Sequence, residues 1–347
     1  MANQPERIFI LLHGAIGDVC RALPLATRIR RNWSCEIIWG VEPLSKALVQ
    51  DHPAIDRVLV FDRPRGFPAF RKYIGELQQL KVDLVLDLQR HAKSGTVSFL
   101  SRAKRRIGFN RKNAKEFNWL ANNEFIAPVE NFSAKIEHYQ LFGDLLGLPR
   151  DDKLDFGLIA DSTEKAASEE LLRVIAPGRP LPPIEKRVAF IVGSSWRSRW
   201  WTAEGYVAAI NTLSQELGIG VILLGGPGES IFAAEIERTA NSDNIWNMVG
   251  KTTLRELVPI FSQVRAVMGP DSGPMHIAAA VGVPVVSLWG STSPKRSAPY
   301  GNESLVIQSS IGCSPCYERE CPGLGTLCMR SIPADAVVGA IERVLKS

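Results

Sequence analysis

No stretch of this chain is apolar for long enough to cross a membrane or to form the core of a signal peptide. The opening residues are polar, and the apolar run from Ile8 to Leu12 is too short for either role. The expected location is therefore the cytoplasm. Neither half carries a Gly-x-Gly-x-x-Gly turn with an acid about twenty residues on, which argues against a Rossmann oxidoreductase. There is no short-period repeat and no low-complexity tract. A net charge of +5 on 347 residues favours an anionic partner only weakly. Apolar residues, at 45%, supply ample core, and the length suits two domains better than one.

The first half alternates strands and helices. Strands are expected at Arg7–Leu12, Glu36–Trp39, Arg57–Phe61, Leu84–Leu88 and Arg105–Ile107, with helices between them. Continuous apolar strands with intervening helices imply a parallel sheet covered on both faces. Four prolines within Ala176–Pro183 then mark a stiff linker over 176–186. The alternation restarts at Val188–Val192 and runs to an amphipathic helix at Pro333–Lys346. The expected fold class is α/β, with two Rossmann-like domains facing across a cleft. The expected boundaries are 1–175, a linker 176–186, a second domain 187–332 and a terminal helix 333–347.

The most informative segment runs from Met268 to Pro299. A short apolar run ends in Gly269-Pro-Asp271-Ser272-Gly273, Pro274 suits the first turn of a helix, and Gly282 suits its end. A helix N-terminus preceded by small residues presents free N–H groups and a positive dipole end, as a diphosphate requires. The alternative is an ordinary βα connection. His276 falls just inside that helix. Earlier in the chain, Gly14-x-x-Gly17-Asp18 follows the first strand. Asp18 is either a helix-capping acid or a carboxylate base at the lip of a cleft. Gly193-Ser194-Ser195-Trp196-Arg197-Ser198-Arg199 follows another strand. Its hydroxyls and guanidiniums suit phosphate oxygens, unless the loop is simply solvated. Glu229, in the turn Gly225–Glu229, could accept ribose hydroxyls or merely begin the next helix.

Four cysteines form Cys313-x2-Cys316-x4-Cys321-x6-Cys328 in a Gly- and Pro-rich loop, whereas Cys20 and Cys35 are scattered. In a cytoplasmic chain such a cluster argues for a structural zinc, with disulfides or free thiols as the alternatives. Ser101 to Lys115 holds seven basic residues and no acid: Arg102, Lys104, Arg105, Arg106, Arg111, Lys112 and Lys115. Read alone, the run is a solvated basic surface or a nucleic-acid patch.

Taken together, Gly14 to Asp18, Ser194-Ser195 with Arg199, Gly225 to Glu229, Asp271 to Ala280, Trp289 to Pro294 and Pro299-Tyr-Gly301 resemble the ADP-heptose:lipopolysaccharide heptosyltransferases of glycosyltransferase family 9. The resemblance spans nearly the whole chain. It implies a GT-B fold, with an enzyme that transfers heptose from ADP-heptose to the lipopolysaccharide inner core with inversion. Asp18 then resembles the general base, with Arg199 supporting the leaving group. Ser194, Ser195, Glu229, Asp271, Ser272, Gly273 and His276 resemble the donor site. Arginine at 199, where better-known relatives have lysine, keeps the charge but changes the donor geometry. No catalytic cofactor or divalent metal is expected, which agrees with the lack of a DxD-type pair. The implied acceptor is an anionic lipopolysaccharide core of the lipid A–Kdo type. Gly17, Lys93, Arg105, Arg106 and His138 are its candidate contacts, and Trp33, Trp39, Phe67 and Phe70 could assist. The implied partners include the inner-membrane surface, touched peripherally, and exclude nucleic acid. Another nucleotide sugar or acceptor, or a non-catalytic sugar-nucleotide-binding protein, is the alternative.

Overall fold

The computed structural model describes residues 4–130, 132–323 and 325–346. The chain divides into two units, one ending at Gly157 and the other beginning at Leu158. Each is built on a six-stranded sheet in which every pairing is parallel.

In the first unit the strands are β1 (Arg7–Leu11), β2 (Glu36–Val41), β3 (Arg57–Val60), β4 (Leu84–Asp87), β5 (Arg105–Gly108) and β6 (Glu124–Phe125). Their order is β3-β2-β1-β4-β5-β6. Ile8 to Leu11 are fully buried, because helices cover both faces of the sheet, and this is why β1 reads as an unbroken apolar run. The second unit has β7 (Arg187–Ile191), β8 (Gly220–Leu224), β9 (Ile245–Asn247), β10 (Ala266–Pro270), β11 (Val285–Trp289) and β12 (Val306–Gln308). Its order, β12-β11-β10-β7-β8-β9, repeats the first pattern when read from the other edge. In both sheets the first and fourth strands are neighbours, and chain direction around the sheet reverses between them. That reversal opens a crevice at the carboxyl ends of those two strands.

The expected strands occur within a residue or two of their expected ends. The domain boundary does not fall at 175. The helix Ser162–Ile175 belongs to the second unit, where Gln263 donates to Ser168 Oγ at 2.6 Å and Arg255 and Arg187 pair with Glu164 and Glu169 at 2.8 and 3.2 Å. The proline-rich stretch is therefore internal to that unit. Arg179 and Arg187 donate to the carbonyls of Ile245 and Pro182, which tie it down. The break expected from Gly269 also comes later, since β10 continues through Gly269 and Pro270. A Cβ at Gly269 would stand 2.8 Å from the carbonyl oxygen of Ile191, so glycine is what lets β10 lie this close to β7. The terminal helix Ala334–Lys346 buries Val337, Val338, Ile341 and Val344 against the second core.

Candidate functional site

In the second unit the chemistry gathers where β7 and β10 end. The loop after β7 carries Ser194, Ser195 and Arg199, and β10 leads into Asp271-Ser272 and the helix Gly273–Val281. Ser194 Oγ donates to the Asp271 carbonyl at 2.8 Å. Arg199 Nη1 lies 3.2 Å from Asp271 Oδ2 and 3.3 Å from the same carbonyl. Thr292, from the loop after β11, donates to Asp271 Oδ2 at 2.8 Å. The guanidinium of Arg199 stacks 3.9 Å from the centre of the Trp196 ring. Burial pulls the Arg199 pKa down, and the Asp271 carboxylate opposes this.

Two buried polar atoms beside this knot have no partner among the described residues: Arg199 Nε and Ser272 Oγ. Ser272 is the cap residue of the helix Gly273–Val281, yet its hydroxyl caps nothing. A buried hydroxyl and a buried guanidinium N–H left open at a helix N-terminus form a cradle for an anion. Ser195 is exposed on the rim, and His276 is buried in the first turn of the helix. Glu229 does precede a helix, Ser230–Thr239, but its side chain folds back over the loop after β7. A Cβ at Gly193 would sit 2.3 Å from Glu229 Cγ. Burial raises the Glu229 pKa against the backbone N–H groups of Gly226 and Glu229.

The cysteine-rich loop braces this site from behind. Ser198 donates through its N–H to the Arg319 carbonyl (3.1 Å) and through its hydroxyl to the Glu318 carbonyl (2.6 Å). The Arg319 guanidinium lies 5.6 Å from the centre of the Trp196 ring. Cys313, Cys316, Cys321 and Cys328 line one cavity of about 80 Å³. Among the described residues, no three His, Cys, Asp or Glu side chains are placed to hold a metal ion, so the expected zinc geometry is not preformed.

In the first unit the corresponding crevice lies beyond β1 and β4. Asp18 stands in the first turn of the helix Ile16–Asn32, whose cap is Ala15. Its Oδ1 accepts from Arg21 at 2.6 Å and from Lys135 at 2.9 Å. Burial alone would push this carboxyl up. The charges and hydrogen bonds of Arg21 and Lys135 outweigh burial and hold it well below the usual carboxylate range. Lys135 begins the helix Lys135–Leu145, which Arg28 pins in place. Buried Arg28 donates to the carbonyls of Gln140 and Pro149 and pairs with Asp144 at 2.8 Å. Gly143 makes room for it, since a Cβ there would be 2.7 Å from Arg28 Nη1.

Beside Asp18 lies a cavity of about 500 Å³, whose lining includes His13, Glu42, Phe61, Arg63 and Gln89, residues that follow β1, β2, β3 and β4. A Cβ at Gly14 would be 3.7 Å from Nε2 of Gln89, a lining residue, and 4.0 Å from Asp18 Oδ2. His13 bonds Tyr73 Oη at 2.8 Å, and burial, with the charge of Arg63, pushes its pKa down to about 4.

Of the expected acceptor contacts, Lys93 lines the cavity, as does Phe70 among the aromatics. The others are engaged elsewhere. Arg105 forms a two-pronged bond to Glu124 at 2.7 and 2.8 Å. Arg106 donates to the carbonyls of Ala121 and Ala103. His138 is buried between Arg90 and Ser133, both at 2.8 Å. Gly17 and Trp39 are buried. Sequence reasoning missed His13, Gln89, Lys135 and Thr292. The first three depend on strand order or helix packing, but Thr292 lay in plain view within the 268–299 segment.

Known proteins share this chain's sequence and fold. Residues 70–326 match the family model described as glycosyltransferase family 9 (heptosyltransferase). The chain is 28% identical over 307 residues to the lipopolysaccharide core heptosyltransferase OpsX of Haemophilus influenzae, covering 87% of this chain and 84% of that one. A family 9 glycosyl transferase from Veillonella parvula superposes with a TM-score of 0.82 at 19% identity, over 98% of this chain and 97% of that one. The ADP-heptose lipopolysaccharide heptosyltransferase II of E. coli superposes with a TM-score of 0.77 at 19% identity, over 98% of each chain. At these identities the two structures establish the shared two-domain α/β fold.

Proposed function

The chain belongs to glycosyltransferase family 9 (heptosyltransferase), and from this premise we propose that it transfers a heptose from ADP-heptose to the inner core of lipopolysaccharide with inversion. The donor site is assigned to the second unit, and the acceptor and its base to the first. The observation that carries the donor half is the pair of buried, unpartnered atoms, Ser272 Oγ and Arg199 Nε, at the helix N-terminus. The names of the similar proteins supply the donor and acceptor classes.

In the reaction an acceptor hydroxyl oxygen attacks the anomeric carbon on the face opposite ADP. Asp18 takes the hydroxyl proton, the bond from the anomeric carbon to the diphosphate oxygen breaks, and its electron pair leaves with ADP. Arg199, the Ser272 hydroxyl and the helix N–H groups neutralise the charge that appears on the diphosphate, in the place where a bound metal would otherwise act. Glu229 holds the ribose, and Ser194, Ser195, Asp271, Gly273 and His276 complete the donor site. Arg21 and Lys135 keep Asp18 ionised, so its proton transfer runs with the developing positive charge on the sugar rather than ahead of it. Lys93, which lines the cavity, faces the anionic acceptor.

The cysteine loop is assigned a structural zinc that would draw the four thiolates around their shared cavity and stiffen the support behind Arg199. The enzyme is placed in the cytoplasm, at the inner-membrane surface. No helix among the described residues is long and apolar enough to cross a membrane.

The test is ADP release from ADP-heptose with and without a lipopolysaccharide-core acceptor. Acceptor-dependent release is expected. Asp18→Ala should lower it by a factor of about 10² or more while donor binding persists, because the base acts on the acceptor. No release with any core acceptor would overturn the substrate assignment. Normal turnover of Asp18→Ala would overturn the base.

A further inference from the structure

We infer that Arg319, carried by the cysteine-rich loop, is a second cation of the donor site and binds the donor's diphosphate beside Arg199. This rests on the donor reading proposed above, to which it adds a residue. Four hydrogen bonds fix where the loop stands. Ser314 Oγ donates to the Gly290 carbonyl and the Tyr317 N–H to the Ser291 carbonyl, each at 2.7 Å. The carbonyls of Glu318 and Arg319 accept from the hydroxyl and the N–H of Ser198 at 2.6 and 3.1 Å. Gly290 and Ser291 follow β11, and Ser198 follows β7. Residues 314–319 are therefore tied to the two loops that supply Thr292 and Arg199 to the site.

The guanidinium of Arg319 ignores the acids beside it. Glu318 and Glu320 flank it in sequence, yet among the described residues no carboxylate forms an ion pair with it. It lies instead 5.6 Å from the centre of the Trp196 ring, on which Arg199 also stacks at 3.9 Å. Burial lowers the Arg199 pKa, Asp271 opposes this, and the nearby charge of Arg319 lowers it further. Two guanidiniums drawn to one indole repel each other, so their placement costs free energy that a bound anion would return.

Charge balance names the anion. At rest Asp271 neutralises Arg199 across 3.2 Å, and the helix N-terminus behind them adds roughly half a positive charge. A donor diphosphate brings a negative charge on each phosphate, and the departing ADP gains another. Arg199 and the helix together leave that charge under-compensated. Arg319 supplies the whole charge that is missing. Being exposed, and having no ion pair to break, it is free to close on the phosphates, while Arg199 stays fixed against Asp271.

The test titrates the full chain with ADP by calorimetry and with adenosine by ligand-observed NMR, which reads weak affinities. Arg319→Gln keeps a planar polar head near Trp196 but removes the charge. It should weaken ADP about tenfold, as loss of one charged contact does, and leave adenosine affinity and melting temperature unchanged. Added salt should weaken ADP less in this variant than in wild type, and Arg319→Lys should recover most of the ADP affinity. Equal losses for ADP and adenosine would overturn the inference, because Arg319 would then be a brace for Trp196. ADP affinity unchanged in Arg319→Gln but lost in Arg199→Ala would overturn it too, and would leave the donor reading standing. No ADP binding by wild type would overturn the donor reading and this inference together.

Discussion

Replacing Arg199 with alanine should damage stability and turnover by separable amounts, and the structure supplies both magnitudes. The guanidinium faces the Asp271 carboxylate at 3.2 Å, and both side chains are mostly buried. At that distance the gross attraction is about 5 kcal/mol for an effective dielectric of about 20. Desolvation of both groups offsets part of it, leaving about 2–3 kcal/mol for a charged hydrogen-bonded contact of this kind. In a unit of this size that corresponds to a fall in melting temperature of about 5–10 °C. The kinetic effect is distinct. Loss of one preorganised group that meets charge on a leaving diphosphate should cost about 10²–10³ in kcat. Arg199→Lys discriminates between the two effects. It keeps the charge but cannot bond Asp271 at both oxygens while stacking on Trp196. It should therefore recover most of the stability and only part of kcat. Steady-state kinetics with thermal melts of the same preparations check this. If Arg199→Ala keeps kcat within about twofold while its melting temperature falls, the residue is a structural strut and the leaving-group role is wrong.

Two further predictions concern ionisation and the cysteines. His13 stays neutral down to about pH 4, so the unfolded chain binds a proton below about 6.5 that the folded chain refuses, and stability falls as pH drops through that window. Asp87 is pushed up to about 6 by burial, despite hydrogen bonds from Asn118, Ser94, Asn122 and the Gln89 N–H, so its contribution falls as pH rises from about 4 to 6. Each effect is worth about 3 kcal/mol and they oppose one another. In urea melts at pH 4.5 and 6.5, the change in stability on going from the lower to the higher pH should therefore be less positive in His13→Gln than in wild type, and more positive in Asp87→Asn. Slopes identical to wild type in both variants would show the assignment to be wrong. Elemental analysis of protein purified without added metal should find about one zinc per chain, as a single four-thiolate site would hold, and Cys313→Ser/Cys316→Ser should lose it. That variant should also raise KM for the donor, since the carbonyls of Glu318 and Arg319 in the cysteine loop accept from Ser198 and Arg319 stands over Trp196. A metal-free wild type of full stability would refute the zinc.

The strand ends were legible because fully buried parallel strands such as Ile8 to Leu11 are continuously apolar. β6, β9 and β12, of two or three residues each, are too short to leave such a signal. The helix Ser162–Ile175 was missed although Asp161 and Glu164 form a complete capping box at its start. Strand order was not legible at all. Arg199 and Asp271 lie 72 positions apart and meet only because β7 and β10 are neighbours. Lys135, 117 positions from Asp18, reaches it only because buried Arg28 fastens one helix to the other. Arg105 and Arg106 misled for the converse reason. Arginine in a basic run reads as a free cation, and only the fold reveals that Glu124 and two carbonyls have claimed these two.

The two crevices share a topology but carry opposite charge logic. In the first unit one acid is held between two cations. In the second, one cation is held against an acid that Thr292 also stabilises. Each pair keeps its reactive group charged at rest. In the proposed reaction, when an acceptor hydroxyl surrenders its proton, Asp18 loses the charge that Arg21 and Lys135 balance, and those two cations become available to an anionic acceptor. On the same proposal, a departing diphosphate competes with Asp271 for Arg199, and the unpartnered Arg199 Nε and Ser272 Oγ add bonds that the resting site lacks. Buried pairs of this kind contribute little net stability but hold a charge in one geometry. Under the proposed reaction the resting bonds thus act as placeholders, exchanged for bonds to substrate in one unit and to product in the other.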